Sequence, residues 1–325
     1  VRRMTLTLPL AVLVAAGCTG DDPDAPPLAL PEAGTIGGGE PGGPADAGGG
    51  GEGGGGVRHP ECPTTAPVPC GADPSYGDPA LHLDACKLGD DERRLGEWAA
   101  VTGQVLGTAP AGGGLFCRAG LNARKAVVFG GSRGFVLANA GAMDYDPATG
   151  FVVAVVMRYE QRTNVPGSIV FQRSSPAPEQ GFPGPALVAN IAYAQSFGGT
   201  ALNPDTSWRG LGLQLRFGPR APGAPGASDG VAAATDTHRT GPLVVLARLS
   251  GEQLELRVNG KVEAMTTLPQ GFIATGAGQP LQIGHTSQAE NELVGAIGEM
   301  LFYDGDAPAE LEDGLLAKWG VQRAP

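Results

Sequence analysis

Residues 79 to 325 read as an all-β domain, an antiparallel β-sandwich or jelly roll closed by one short C-terminal helix. Three observations predict this. Runs of strand length recur at regular spacing with turn residues between them. Only one stretch carries a convincing helical period. Strands and helices do not alternate as they must around a parallel sheet.

Leu81–Asp84 opens the series, and Asp90–Trp98 fits a helical turn. Ala126–Phe129, Phe135–Ala138, Phe151–Tyr159, Ser168–Arg173, Leu187–Ala194 and Gly210–Phe217 follow as strands. The clearest segment is Leu243 to Thr267. Leu243–Leu249 has strand length and Ser250-Gly251 is a tight turn. Leu254, Leu256 and Val258 then alternate with Gln253, Glu255 and Arg257, which puts apolar and charged sets on opposite faces. Asn259-Gly260 suits a type I′ hairpin, whose central residues both need positive φ, and Lys261–Thr267 completes a meander. Leu281–Gly284 and Ala296–Tyr303 are the last strands. In the helix, Asp306 serves as cap, Pro308 suits the first turn, Leu311, Leu315 and Trp319 share a face, and Gly320 is the stop.

The N-terminal region differs in kind. Arg2 and Arg3 precede an apolar run, Leu6–Ala16, too short to span a bilayer but suited to a signal core. Ala15-Ala16-Gly17 leads directly into Cys18, which resembles the lipobox of bacterial lipoproteins. That resemblance implies cleavage before Cys18, a diacylglycerol on its sulfur and an acyl group on its new amino terminus. Two or more chains anchor durably where one does not. The initial Val1 fits either a GUG start or a true start at Met4. Residues 19–60 hold 15 Gly and 7 Pro and form a tether. Between Pro31 and Gly56 there is no aromatic residue, so too little apolar area can be buried to offset chain entropy. As a Gly-rich coil the tether spans about 35 to 40 Å.

Residues 61–78 form a Pro-rich lead-in with two of the five cysteines. Cys62, Cys70, Cys86 and Cys117 are an even set in an exported chain, so two disulfides are expected, with three pairings open. Cys62 with Cys70 and Cys86 with Cys117 is the favoured arrangement, the second tying the base of a mostly irregular excursion. If Cys117 instead meets Cys62 or Cys70, the lead-in is stapled to the domain and its boundary moves from 79 to about 61. Zinc is disfavoured, since no C-x2-C spacing occurs and the His residues are scattered. A net charge of −11 without a basic run argues against nucleic acid as partner.

The folded part also resembles the concanavalin-A-like, laminin-G-like jelly-roll family. The resemblance rests on Leu81-His-Leu-Asp-Ala85, Glu97-Trp98 with Gly103, Asn122 to Gly131, Leu254 to Lys261, Leu281-Gln-Ile-Gly284, Gly295 to Tyr303, and Ala317-Lys-Trp-Gly320. It implies two packed antiparallel sheets, and binding or adhesion rather than catalysis. Two polar positions of the family pattern are lost, with Ala100 standing for an Asp and Gly130 for another.

Chemistry was sought along the strands. Glycosidases of this fold need carboxylates alternating on one strand at short separation. Glu252 with Glu255, and Glu299 with Asp304, have the wrong parity. Gly130-Gly-Ser132-Arg-Gly134 matches a nucleophile motif but reads as a Gly-rich hairpin between two strands. No enzyme is expected. Calcium is the one cofactor to weigh. Asp144 and Asp146 lead its candidates, with Asn203, Asp205, Asp304 and Asp306 behind them; the competing reading is that these residues simply make turns. Trp208 and Tyr193, with Tyr145, are candidate platforms for sugar rings. The reading that joins these points is a lipid-anchored, extracytoplasmic binding or adhesion module of the bacterial envelope. A glycan or surface protein would be its partner, and Thr19 after Cys18 favours the outer membrane in a diderm. The alternative is a structural envelope lipoprotein without a small ligand.

Overall fold

The computed structural model describes residues 58–109, 112–131, 133–145, 148–160, 168–173, 185–189, 212–217, 231–234, 241–268, 280–285 and 292–325. The chain divides into Val1–Glu52 and Gly53–Pro325, and every described residue lies in the second unit. That unit is an antiparallel two-sheet sandwich, as the sequence predicts.

Its strands are β1 (Leu81–Asp84), β2 (Arg93–Arg94), β3 (Glu97–Ala99), β4 (Val105–Thr108), β5 (Leu115–Leu121), β6 (Arg124–Gly130), β7 (Phe135–Leu137), β8 (Phe151–Tyr159) and β9 (Ser168–Arg173). They continue with β10 (Pro185–Ala189), β11 (Leu213–Phe217), β12 (Val231–Ala234), β13 (Leu243–Ser250), β14 (Gln253–Val258), β15 (Lys261–Thr267), β16 (Leu281–Ile283) and β17 (Val294–Asp304). One helix follows, α1 (Leu311–Trp319). The first sheet runs β15-β14-β13-β8-β17-β6-β5-β2, with β1 pairing on β17. The second runs β12-β11-β10-β9-β16-β7-β4-β3.

The meander forms as read from its alternation. Leu254, Leu256 and Val258 are buried while Gln253 is exposed, and Asn259 and Gly260 turn with φ of 52° and 84°. Inner-face residues of both sheets, among them Trp98, Phe129, Phe135, Phe171 and Phe302, make one continuous core. The outer face of the first sheet is covered as well. Val152, Ala154, Val156, Leu301 and Tyr303 pack there against Leu311, Leu315, Leu316 and Trp319 of α1.

The helix keeps its expected face and its stop. Gly320 adopts φ 61° and its N–H bonds the carbonyls of Ala317 and Leu316. Asp306 does not cap it. Glu310 holds the N-cap position without a side-chain bond, and Asp306 instead accepts from Arg248 at 2.7 Å. Asp90–Trp98 contains no helical turn but the short strands β2 and β3, where edge pairing outweighs weak local helical preference. The Gly-rich link after Gly130 is not a hairpin either, because β6 and β7 belong to different sheets.

The cysteine pairing corrects the expected one. Cys62 bonds Cys117 and Cys70 bonds Cys86, with Cα separations of 5.5 and 6.2 Å. The interval before Cys117 is not an irregular excursion, since it supplies β2, β3, β4 and the start of β5. What needs tying is the lead-in. Both of its cysteines reach the sandwich, Val68 N–H bonds the Ala123 carbonyl at 2.7 Å, and Gly71 N–H bonds that of Lys318 at 3.0 Å. The lead-in from Cys62 onward is therefore bonded covalently and by backbone hydrogen bonds to the sandwich.

Candidate functional site

Two polar constellations stand out. The first lies on the face of the second sheet turned away from the core. Leu281, Ile283, Phe171, Leu213 and Leu215 point inward, so their alternating neighbours Gln282, Gln172 and Gln214 point outward. Register places Gln282 opposite Gln172, Gln172 opposite Ala186, and Ala186 opposite Arg216, two residues from Gln214. Gln172 Nε2 donates to Gln282 Oε1 at 2.9 Å. All three glutamines are buried, yet among the described residues Oε1 of Gln172 and Oε1 of Gln214 have no hydrogen-bond partner. Buried acceptors are normally satisfied, and leaving one orphaned costs about 1 to 3 kcal/mol. Among the described residues the row thus carries two buried amide oxygens with unused acceptor capacity.

The second constellation lies on the opposite side of the molecule, between the first sheet, α1 and the lead-in. A register shift in β17 between Ile297 and Glu299 changes the strand's phase. Glu299 consequently joins Leu301 and Tyr303 on the outer face. Gly298 at this bulge is required, because a Cβ there would stand 2.3 Å from the Trp319 ring. Across the β1–β17 ladder Asp84 sits opposite Glu299, and His82 shares its face. Lys318 reaches in from α1. Its Nζ lies 2.8 Å from Asp84 Oδ2, 2.9 Å from Glu299 Oε2, 2.9 Å from Asp73 Oδ1 and 2.6 Å from the Tyr76 hydroxyl. Glu299 also accepts from His82 Nε2 at 2.8 Å and Trp319 Nε1 at 2.7 Å. Asp84 Oδ1 accepts from the Cys86 N–H at 2.8 Å. The Lys318, Asp84 and Glu299 side chains have no solvent exposure.

The electrostatics separate the two carboxyls. Burial, followed by the neighbouring Glu299 charge, raises Asp84 above the usual carboxylate range against the pull of Lys318. Burial alone would raise Glu299 too, but the bond from His82, then Lys318 and Trp319, hold it below that range. Burial would lower Lys318, and the charges of Glu299 and Asp84 outweigh it and raise the ammonium. His82, Asp84 and Glu299 are close enough together to resemble a metal-ligand set. The ammonium already occupies the space among the carboxylates, so the set carries its own cation.

The sequence candidates fare differently. Asp144 Oδ1 faces Arg173 at 2.7 Å, and Arg173 is fully buried on the inward parity of β9, also donating to the Met143 carbonyl. A fixed guanidinium at that oxygen opposes a calcium ion. Tyr145 is not a platform, since it is buried in the core with its ring 4.9 Å from that of Phe151. Cys18, Asp146, Tyr193, Asn203, Asp205 and Trp208 lie outside the described residues. Sequence reasoning missed both constellations. Gln172, Gln214 and Gln282 stand at alternating strand positions and carry that signal; Lys318 stands only within a family motif, and Glu299 there and in a carboxylate pair of the wrong parity.

No family model matches the sequence, and no curated protein matches it. Solved structures resemble the fold. The binding domain of botulinum neurotoxin DC in complex with SialylT aligns at 9% identity and a TM-score of 0.45, over 74% of this chain and 51% of that one. Domain 4 of AbnA, a GH43 extracellular arabinanase from Geobacillus stearothermophilus, in complex with arabinotriose, aligns at 16% and 0.45, over 75% and 100%. The neurotoxin DC domain in complex with rat synaptotagmin II aligns at 8% and 0.48, over 74% and 52%. The match spans about half of the toxin domains. At these scores the likeness assigns no function.

Proposed function

We propose that the chain is an extracytoplasmic, lipid-anchored binding module that recognises a hydroxyl-rich ligand, a glycan, without catalysis. The observation that carries this reading is the row of buried glutamines with orphaned amide oxygens on the outer face of the second sheet. Sugar hydroxyls are donors matched to such acceptors. Two disulfides agree with an oxidising compartment. Among the described residues no helix is long and apolar enough to cross a membrane, and the anchor of this reading is Cys18, at the lipobox-like sequence.

The test is a glycan array probed with the full chain, with and without calcium. Binding is expected in both conditions, because Asp144 is committed to Arg173. Gln172→Leu and Gln214→Leu should each weaken binding about tenfold while leaving the melting temperature unchanged or raised, since an apolar residue removes an orphaned acceptor. No binding in either condition, or unaltered binding by both variants, would sink the proposal.

The anchor has its own test. Cys18→Ala should be processed poorly or released soluble, whereas the parent chain partitions into detergent. Full membrane retention of the variant would show that something other than acyl chains holds it.

A further inference from the structure

The Lys318 network holds more counter-charge than its other members need. Asp73 keeps Lys87 at 2.6 Å, and Glu299 keeps His82 at 2.8 Å and the Trp319 indole at 2.7 Å. Among the described residues Asp84 has one charged partner within hydrogen-bond distance, Lys318, at 2.8 Å with neither side chain exposed. A buried ion pair recovers its desolvation cost poorly, whereas an amide between the same groups carries no charge to desolvate.

We propose that Lys318 and Asp84 condense into an intramolecular amide bond, with Glu299 as the proton-transferring base. The geometry supplies each role. The nucleophile and the acid are held in contact, which replaces an encounter in solution by an effective concentration far above any attainable there. Glu299 Oε2, 2.9 Å from Nζ, is placed to take its proton. The Cys86 N–H on Asp84 Oδ1 is placed to stabilise charge developing on that oxygen, leaving Oδ2 as the departing one. The rings of Tyr76 and Trp319 lie 5.3 and 5.9 Å from Nζ, and the lack of exposure keeps bulk water from reversing the reaction. The upward displacement of Asp84 favours the neutral acid, the electrophilic form; that of Glu299 downward keeps it ionised to accept a proton, a transfer that the upward displacement of Lys318 makes the costly part of the step.

The step balances without an added reagent. Glu299 takes one proton from the Lys318 ammonium. The freed lone pair forms the N–C bond to Asp84 Cγ. Glu299 returns that proton to the Oδ2 hydroxyl as the C–O bond breaks, so that water departs with the bonding pair. Glu299 then removes the second proton from nitrogen. Neutral Asp84, ammonium and carboxylate thereby give an amide, one water and a protonated Glu299.

Peptide mapping of the folded full chain, after reduction and alkylation, tests the proposal. Trypsin should release residues 59–87 joined to residues 262–323, lighter than their sum by one water and uncut after Lys318. Glu299→Gln should yield the two peptides separately, and so should Lys318→Arg. Recovery of Asp84 and Lys318 in separate, unmodified peptides from the folded parent chain overturns the bond, whether or not any variant folds. A joined peptide that persists in folded Glu299→Gln would overturn the role of Glu299.

Discussion

Replacing Lys318 by Met is expected to destabilise the fold by about 3 to 5 kcal/mol, because it removes the partner of Asp84, whether ionic before condensation or covalent after it, and leaves two buried carboxyls without a cation. For a domain of this size the melting temperature should fall by on the order of 10 °C. Asp84 and Glu299 would then repel one another with no exposed route to water. Their carboxyls would rise further and the native variant would take up protons. Thermal melts from pH 7 down to pH 5 should therefore show the gap to the parent narrowing. The parent itself behaves oppositely at Glu299. That carboxyl is held below its ordinary value of 4.5, so the unfolded chain protonates first as pH falls. Its stabilisation is present above about pH 4.5 and is lost below it, through the folded value. Asp84, displaced upward, offsets part of this loss. A variant melting within about 2 °C of the parent at pH 7 would show the network to be energetically idle.

Removing the Cys62–Cys117 bond is the second large effect. The cysteines are 55 residues apart in sequence, and the chain-entropy model assigns closure of such a loop about 4 kcal/mol. Cys70 and Cys86 are only 16 apart, worth about 3 kcal/mol. Double Cys→Ser changes at each pair should rank in that order by denaturant midpoint, with far-UV strand content kept in both. The reverse order would show that native contacts, not chain entropy, decide what each bond contributes. Non-reducing peptide mapping reads the pairing directly.

These two sites mark where the sequence was legible and where it was not. Strict alternation exposed the meander, and Phe151–Tyr159, Ser168–Arg173 and Lys261–Thr267 form strands with those same limits. Such elements are encoded locally, by side-chain period and turn chemistry. Strands β2 to β4 were missed because they are two to four residues long and exist only through pairing with distant partners. Strand β5 was hidden by Cys117 and Gly120, which read as an irregular approach to the next strand. The disulfide pairing was misread for the same reason: sequence proximity favoured Cys62 with Cys70, while the fold lays the lead-in across the outer face of the first sheet. The Lys318 network needed a bulge at Gly298 to turn Glu299 outward, and no periodicity in the sequence announces a phase change. The glutamine row was readable in principle, since Gln172, Gln214 and Gln282 each sit beside apolar strand residues, but their convergence depends on strand order.

The Cys62–Cys117 bond also fixes the path of mechanical load. A pull applied at the N-terminal end of the chain straightens the residues ahead of Cys62 and then passes through sulfur into β5, one strand in from the β2 edge of a nine-stranded sheet. The lead-in beyond Cys62 lies outside that path. It cannot be peeled from α1 residue by residue, and the contacts that Asp73 and Tyr76 make with Lys318 carry no tension. Drag on the domain from its N-terminal side would be resisted by a covalent bond and a hydrogen-bonded ladder, while the Lys318 network beside them stays at rest.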